Sequence, residues 1–173
     1  GLVYLPKYGL YLDHGEAKAI VQEVRVTDGI SENFAVLGDP VKASLNTLDV
    51  VIIRVDPPFD SEYLYSTHIL ERAKKQGVQV VNDPQAIRDC NEKLFATEFS
   101  DLMPKTVVSS NHEDIRAFQK IQGDIILKPL DGMGGSGIFR ITADSLNLGA
   151  ALETLSPGAS RLVMAQREAR GGR

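Results

Sequence analysis

The sequence predicts an α/β half followed by a small α+β half. Three observations predict it. Residues 48–53, Leu-Asp-Val-Val-Ile-Ile, are almost continuously apolar, as in a strand covered on both faces by helices. A helical stretch and a second apolar run follow, which makes a right-handed βαβ unit around a parallel sheet. From Pro104 the order becomes β-α-β-β-α-β, the split βαβ pattern of a small antiparallel sheet. The boundary falls near residues 101–104, giving domains 1–103 and 104–173.

The elements follow in order. Residues 2–5 are a short apolar run and read as a strand. Residues 9–13 and 17–26 alternate in part and flank His14-Gly15, a turn signal, so they read as a hairpin. Residues 28–45 have no clear period and read as a loop with short structured pieces. After the strand at 48–53, Pro57 and Pro58 end the ladder because neither can donate to it. A helix is predicted over 61–76, capped by Asp60 or Ser61 and stopped by Gly77, with Tyr65, Ile69, Leu70 and Ala73 on one face. Residues 78–81 are the next strand, and 83–99 are mostly helical with a break near Cys90-Asn91. In the second half, strands are predicted at 105–109, 124–129, 138–142 and 161–166. Helices are predicted over 111–121, capped by Asn111 and ended by Gly123, and over 145–155.

Composition bounds the function. The chain has 173 residues, 43% of them apolar, which is enough for a core. The 19 basic and 23 acidic side chains leave a net charge of -4, which argues against a general nucleic-acid binder. No apolar run approaches the roughly 20 residues that cross a bilayer as a helix, and a cytoplasmic location fits. Cys90 stands alone, so it makes no internal disulfide, and it reads as a half-buried small apolar residue rather than a nucleophile. His14, His68 and His112 form no pair with ligand spacing, which argues against zinc. Gly1-Leu2-Val3-Tyr4-Leu5 reads as a strand already under way and Arg170-Gly171-Gly172-Arg173 completes no element, so both ends read as cut.

The chemistry concentrates in three places. Lys128 lies inside an apolar strand, where its ammonium must reach solvent or find an acceptor. Four glycines in six residues follow it: Gly132, Gly134, Gly135 and, past Ser136, Gly137. Such a loop can turn backbone N–H groups toward phosphate oxygens, and the lysine adds a point charge. A hairpin turn beside a snorkelling lysine is the plain alternative. The loop has no Gly-Lys-Ser or Gly-Lys-Thr ending, and a strand rather than a helix follows it, so neither a Walker nor a Rossmann loop fits. Lys93 is the second candidate, a cation that reaches a polyphosphate from another element or stays a solvated helix lysine. Arg54, Asp56, Pro57, Pro58, Phe59 and Asp60 are the third. They follow a strand end, where open α/β sheets bind ligands, and Arg54 suits a carboxylate. A Pro-Pro turn with Asp60 as helix cap is equally open there.

Together these segments resemble the prokaryotic glutathione synthetase family of ATP-grasp ligases. The matching words are Arg54 with Asp56-Pro57-Pro58-Phe59-Asp60, Ile69-Leu70-Glu71-Arg72-Ala73, Arg88-Asp89-Cys90-Asn91-Glu92-Lys93-Leu94-Phe95, residues 125–135, and Met164-Ala165-Gln166. The resemblance implies a parallel-sheet pre-ATP-grasp domain followed by the split-βαβ nucleotide-binding subdomain. It implies that Lys93 and Lys128 contact ATP phosphates, that Gly132, Gly134, Gly135, Ser136 and Gly137 form a mobile loop over them, and that Met164, Ala165 and Gln166 line the hinge at adenine. Arg54, Asp56, Pro57, Phe59 and Asp60 would lie on the side that receives γ-glutamylcysteine. The implied reaction forms an acyl phosphate from γ-glutamylcysteine and ATP, which glycine attacks to give glutathione. The implied setting is a cytoplasmic homo-oligomer using Mg2+, with no nucleic acid or membrane partner.

The departures carry expectations too. The family has a strand and helix before Gly1 and a long segment after Gln166 that holds the magnesium ligands. Residues 167–173 look instead like the family's later Gly-rich loop, as if two pieces were joined. The magnesium ligands are therefore expected outside this chain, and the chain alone is expected not to turn over. Another ATP-grasp carboxylate–amine ligase, such as a D-alanine–D-alanine or ribosomal-protein-modifying ligase, is one alternative. A non-catalytic nucleotide-binding module is the other.

Overall fold

The computed structural model of the chain describes residues 1–27 and 34–169. By their contacts the residues form two units, one of Gly1–Asp56 with Asp60–Asp89, the other of Pro57–Phe59 with the chain from Cys90 onward.

The first unit is built on one long strand. Strands β1 (Val3–Tyr4), β2 (Leu10–Asp13) and β3 (Glu16–Val26) are antiparallel, with β1 and β2 both paired to β3. The predicted hairpin is present. Its two turn residues, His14 and Gly15, have φ of 48° and 80°, the paired positive values a tight antiparallel turn requires. Alternation along β3 buries Ala17, Ala19 and Val21 and leaves the intervening side chains half-exposed.

The short structured pieces expected within the loop over 28–45 are two strands in its described part. Residues 28–33 lie outside the described residues, but β4 (Ala35–Leu37) and β5 (Val41–Ser44) are strands that pair antiparallel with β3. Each is too short to show a period, and Gly38, Asp39 and Pro40 between them read as loop.

Among the described residues, parallel pairing is confined to β6 (Val50–Ile52) and β7 (Gln79–Val81), joined through helix α1 (Ser61–Lys75). The expectation that this strand is covered on both faces is corrected. Ile53 is buried, but Val50 is 43% and Ile52 63% exposed among the described residues. The apolar run is real, yet only one of its faces meets the core.

Asp60 caps α1, its Oδ1 accepting from the Tyr63 amide at 2.8 Å, and Gly77 follows the helix with φ of 100°. The buried stripe is Thr67, Leu70 and Ala73, and Tyr65 is exposed, contrary to the predicted face. These three positions are three residues apart, so they share a face that Tyr65 does not. The C-terminal end of α1 is tied to the hairpin turn: Arg72 Nε and Gln76 Nε2 both donate to the Gly15 carbonyl at 3.0 Å.

The second unit begins past helix α2 (Pro84–Asp89), after the predicted break at Cys90-Asn91, and continues through a 3-10 helix at Phe95–Leu102. Strands β8 (Thr106–Ser109), β9 (Ile125–Pro129), β10 (Phe139–Ile141) and β11 (Val163–Arg167) form one antiparallel sheet in the order β10-β9-β11-β8. Strand β11 lies between β8 and β9, and β9 lies between β10 and β11, so both βαβ units are split. Helix α3 (His112–Gln122) starts on Asn111, whose Oδ1 accepts from the Glu113 amide at 3.0 Å, and ends at Gly123 with φ of 79°. Helix α4 (Leu148–Leu155) begins later than predicted, because residues 142–147 turn instead: Ser145 donates its amide to the Thr142 carbonyl. Ile125, Leu127, Ile141, Val163 and Ala165 pack with Ile115 of α3 and Leu148, Ala151 and Leu152 of α4. Each of the isoleucine, leucine and valine side chains among them is worth about 1.5–3 kcal/mol on burial.

Candidate functional site

Strand alternation divides the second sheet into two faces. Ile125, Leu127, Val163 and Ala165 point into the core beside α3 and α4. The opposite face carries Lys128 of β9, Met164 and Gln166 of β11, and Thr106 of β8. Lys128 stands opposite Met164, and Gln166 opposite both Ile126 and Thr106. Helices α3 and α4 pack on the first face.

Lys128 meets its acceptor within the sheet. Its Nζ donates to Gln166 Oε1 at 2.6 Å. Gln166 Nε2 donates to Thr106 Oγ1 at 3.2 Å, and the Thr106 hydroxyl donates to the Pro104 carbonyl at 2.7 Å. Every member of this chain has a partner, which is what a half-buried ammonium needs. Met164 is 2% exposed and Ala165 fully buried with its side chain in the core, and both are paired with β8 on one side and β9 on the other.

The glycine segment is the hairpin that joins β9 to β10. Gly134, Gly135 and Gly137 have φ of 63°, 80° and 70°. Inside the loop, Ser136 donates its amide to the Met133 carbonyl at 3.2 Å and Ile138 to the Gly135 carbonyl at 3.4 Å. Gly132 is approached closely: a Cβ there would stand 3.0 Å from Pro129 Cγ and 3.3 Å from the Ser136 carbonyl. The segment is thus a hairpin in form, and its exposed tip is the place where a phosphate chain could lie.

Lys93 reaches the same loop from outside the sheet. Its Nζ donates to the Gly132 carbonyl at 2.6 Å and pairs with Glu92 Oε1 at 2.5 Å, and its side chain is 16% exposed. It is therefore not a solvated helix lysine. The sequence reading did not assign Asn91, which builds this corner. Its Oδ1 accepts from the amides of Lys93 and Leu94, each at 3.0 Å, and its Nδ2 donates to the Leu130 carbonyl at 3.5 Å. An Asn directly before a chain break is the signal that could have found it. Thr106 was missed as well, and nothing in an isolated strand threonine marks it.

Arg54 and Asp56 belong to the first unit, at the end of β6. Arg54 is exposed and makes no ion pair among the described residues. Asp60 is occupied at Oδ1 by the helix cap. Tyr63 donates its hydroxyl to the Val55 carbonyl at 3.2 Å; burial, then the nearby Asp56 charge, push its phenol above the ordinary range. Pro57 and Phe59 are half-buried.

Cys90 is exposed rather than half-buried, a correction to the sequence reading: it sits in the break between α2 and the 3-10 helix, where no core covers it. His14 is exposed in its turn, as expected. Among the described residues no three His, Cys, Asp or Glu side chains cluster as a metal site. No helix among them is long and apolar enough to cross a membrane.

Comparison with known proteins bears on the family. A family model described as prokaryotic glutathione synthetase, N-terminal domain, matches residues 1–88, and one described as prokaryotic glutathione synthetase, ATP-grasp domain, matches residues 92–170. Glutathione synthetase of Escherichia coli O157:H7 is 48% identical over 165 residues, which is 95% of this chain and 52% of the relative. That of Photorhabdus laumondii is 46% identical over the same shares. The chain spans about half the length of the curated relatives it matches. Among solved structures, D-alanyl-alanine synthetase A from Vibrio cholerae superposes with a TM-score of 0.55 at 17% identity, covering 98% of this chain and 44% of that one. The likeness to this ligase is one of fold.

Proposed function

Because the chain belongs to the prokaryotic glutathione synthetase family, we propose that it supplies the nucleotide-phosphate site and the substrate-side domain of an ATP-dependent ligase that makes glutathione. In this reading the γ-phosphoryl of ATP passes to the cysteinyl carboxylate of γ-glutamylcysteine. The O–P bond formed replaces the one broken to ADP. The glycine amine then attacks the acyl carbon, phosphate leaves with the C–O bonding pair, and the amine loses a proton as the amide forms. A carboxylate is a poor acyl donor until its oxygen can leave as phosphate, which is why the ligation consumes ATP.

One observation carries the reading: two lysines from separate elements flank one glycine hairpin. Lys128 is on the strand leading into it and Lys93 is bonded to Gly132 within it. One point charge on a loop with three positive-φ glycines, and a second on the strand that leads into it, suit a polyphosphate. Lys93, Lys128, Gly132, Gly134, Gly135, Ser136 and Gly137 then contact phosphates, and Met164, Ala165 and Gln166 line the hinge at the adenine. Arg54, Asp56, Pro57, Phe59 and Asp60 face the dipeptide, with the Arg54 guanidinium on a carboxylate. A cytoplasmic homo-oligomer using Mg2+ accompanies this reading.

Titrating the non-hydrolysable ATP analogue AMPPNP into the full chain, with and without γ-glutamylcysteine, tests the proposal. The expected result is nucleotide binding that tightens at least about fivefold with the dipeptide, a coupling at the low end of the usual range. Nucleotide binding with no coupling favours a plain nucleotide-binding module, and no binding at all overturns the phosphate site.

A further inference from the structure

Gln166 has an amide whose two ends are chemically opposite, and only one orientation suits a lysine. The oxygen accepts from Lys128 Nζ at 2.6 Å, while a reversed amide would set an NH2 donor against an ammonium. What holds the amide the right way round is Thr106. The Thr106 hydroxyl proton is committed to the Pro104 carbonyl at 2.7 Å, so its oxygen is left as the acceptor for Gln166 Nε2 at 3.2 Å. Strand register makes this possible, since Thr106 stands directly opposite Gln166, and Lys128 is the diagonal neighbour on the same face. All three side chains are half-buried, so bulk water does not replace a lost partner freely.

We infer that Thr106 is a positioning residue for Lys128, acting through the Gln166 amide. It fixes the ammonium over the face of the sheet that carries Met164 and Gln166 before nucleotide arrives. An ammonium has three donors, so one stays on Gln166 while the others serve phosphate oxygens. Binding then does not have to order a flexible four-carbon side chain from scratch. The inference rests on the reading of Lys128 as a phosphate contact.

The test is a cycle of AMPPNP dissociation constants on the full chain: native, Thr106→Val, Thr106→Ser, Lys128→Ala, and Thr106→Val combined with Lys128→Ala. Thr106→Val keeps the shape and removes the hydroxyl, and is expected to weaken binding about two- to tenfold, the cost of ordering one long side chain. Thr106→Ser restores the hydroxyl and is expected to bind within about twofold of native. In the Lys128→Ala background, Thr106→Val is expected to add nothing, because its effect runs through the ammonium. Thermal unfolding of each variant excludes a loss from misfolding, and the serine variant keeps the test decisive if valine lowers stability. If Lys128→Ala leaves the affinity unchanged, the phosphate reading falls and the inference with it. If Lys128→Ala weakens binding but Thr106→Val does not, or Thr106→Val costs as much without the lysine as with it, only the inference falls.

Discussion

Gly137→Ala probes the glycine hairpin most directly, and its cost follows from two separate terms. Gly137 has φ of 70°, a left-handed value that costs an L-residue about 1 kcal/mol. A Cβ there would also stand 3.2 Å from Pro129 Cγ, 3.5 Å from Pro129 Cδ and 3.6 Å from Leu155 Cδ2. The proline ring is the last residue of β9 and cannot swing aside without disturbing the ladder, so the crowding adds about another 1 kcal/mol. Gly135→Ala is the internal control. Its φ is 80°, nearly the same strain, but a Cβ there would meet nothing within 4 Å. The expected costs are therefore about 2 kcal/mol at Gly137 and about 1 kcal/mol at Gly135. Tyrosine fluorescence cannot report this, since all five tyrosines lie at or before Tyr65. Native-state hydrogen exchange of the β9 and β10 amides reads the opening free energy where the hairpin is anchored. Equal costs at the two positions would show that Pro129 does not crowd Gly137, and would refute the packing of the loop against its own strand.

Two further outcomes are expected. Under the proposed function, Arg54→Ala should raise KM for γ-glutamylcysteine by about tenfold or more, the size of a lost charge-assisted contact, with KM for ATP moving far less. Steady-state kinetics with each substrate varied will show it, and parallel rises in both KM values would assign Arg54 to domain stability instead. Glu71 is held below the ordinary glutamate value of 4.5 by Lys75 first and then by Arg88. A lowered carboxyl contributes stability that is fully present above 4.5 and is lost as pH falls through the folded-state value. Glu71→Gln should therefore reduce native stability at neutral pH and flatten its loss on acidification. Urea midpoints between pH 3 and pH 7, roughly the carboxylate range, will decide; an unchanged acid slope would sink the idea.

Much of the fold was legible because local rules and tertiary structure agree there. Asp60 before a helical stretch caps α1, His14-Gly15 turns the first hairpin, and Asn111 and Gly123 bracket α3. Each of these depends on backbone geometry within a few residues, so the sequence states it. The candidate site was legible in part for the same reason. Lys128 in an apolar strand and four glycines just beyond it are local anomalies.

What the sequence could not state were quantities set by distant partners. Strands β4 and β5 exist because β3 is long enough to offer them an edge, not because three or four residues of their own favour a strand. The exposed face of Ile52 and the rotated stripe of α1 depend on which side of each element meets the core. The two readings of Lys93, a phosphate contact or a solvated helix lysine, are separated only when the chain brings Gly132, far along the sequence, to within 2.6 Å of its ammonium. The amide of Gln166 acquires a direction only because Thr106 and Lys128 arrive on either side of it, one from β8 and one from β9. The sequence by itself determined the elements, their caps and the kinds of residue that attract a phosphate chain. Only the tertiary structure decided which polar groups face one another, because a hydrogen bond depends on distances of a few tenths of an ångström between atoms that the chain alone keeps far apart.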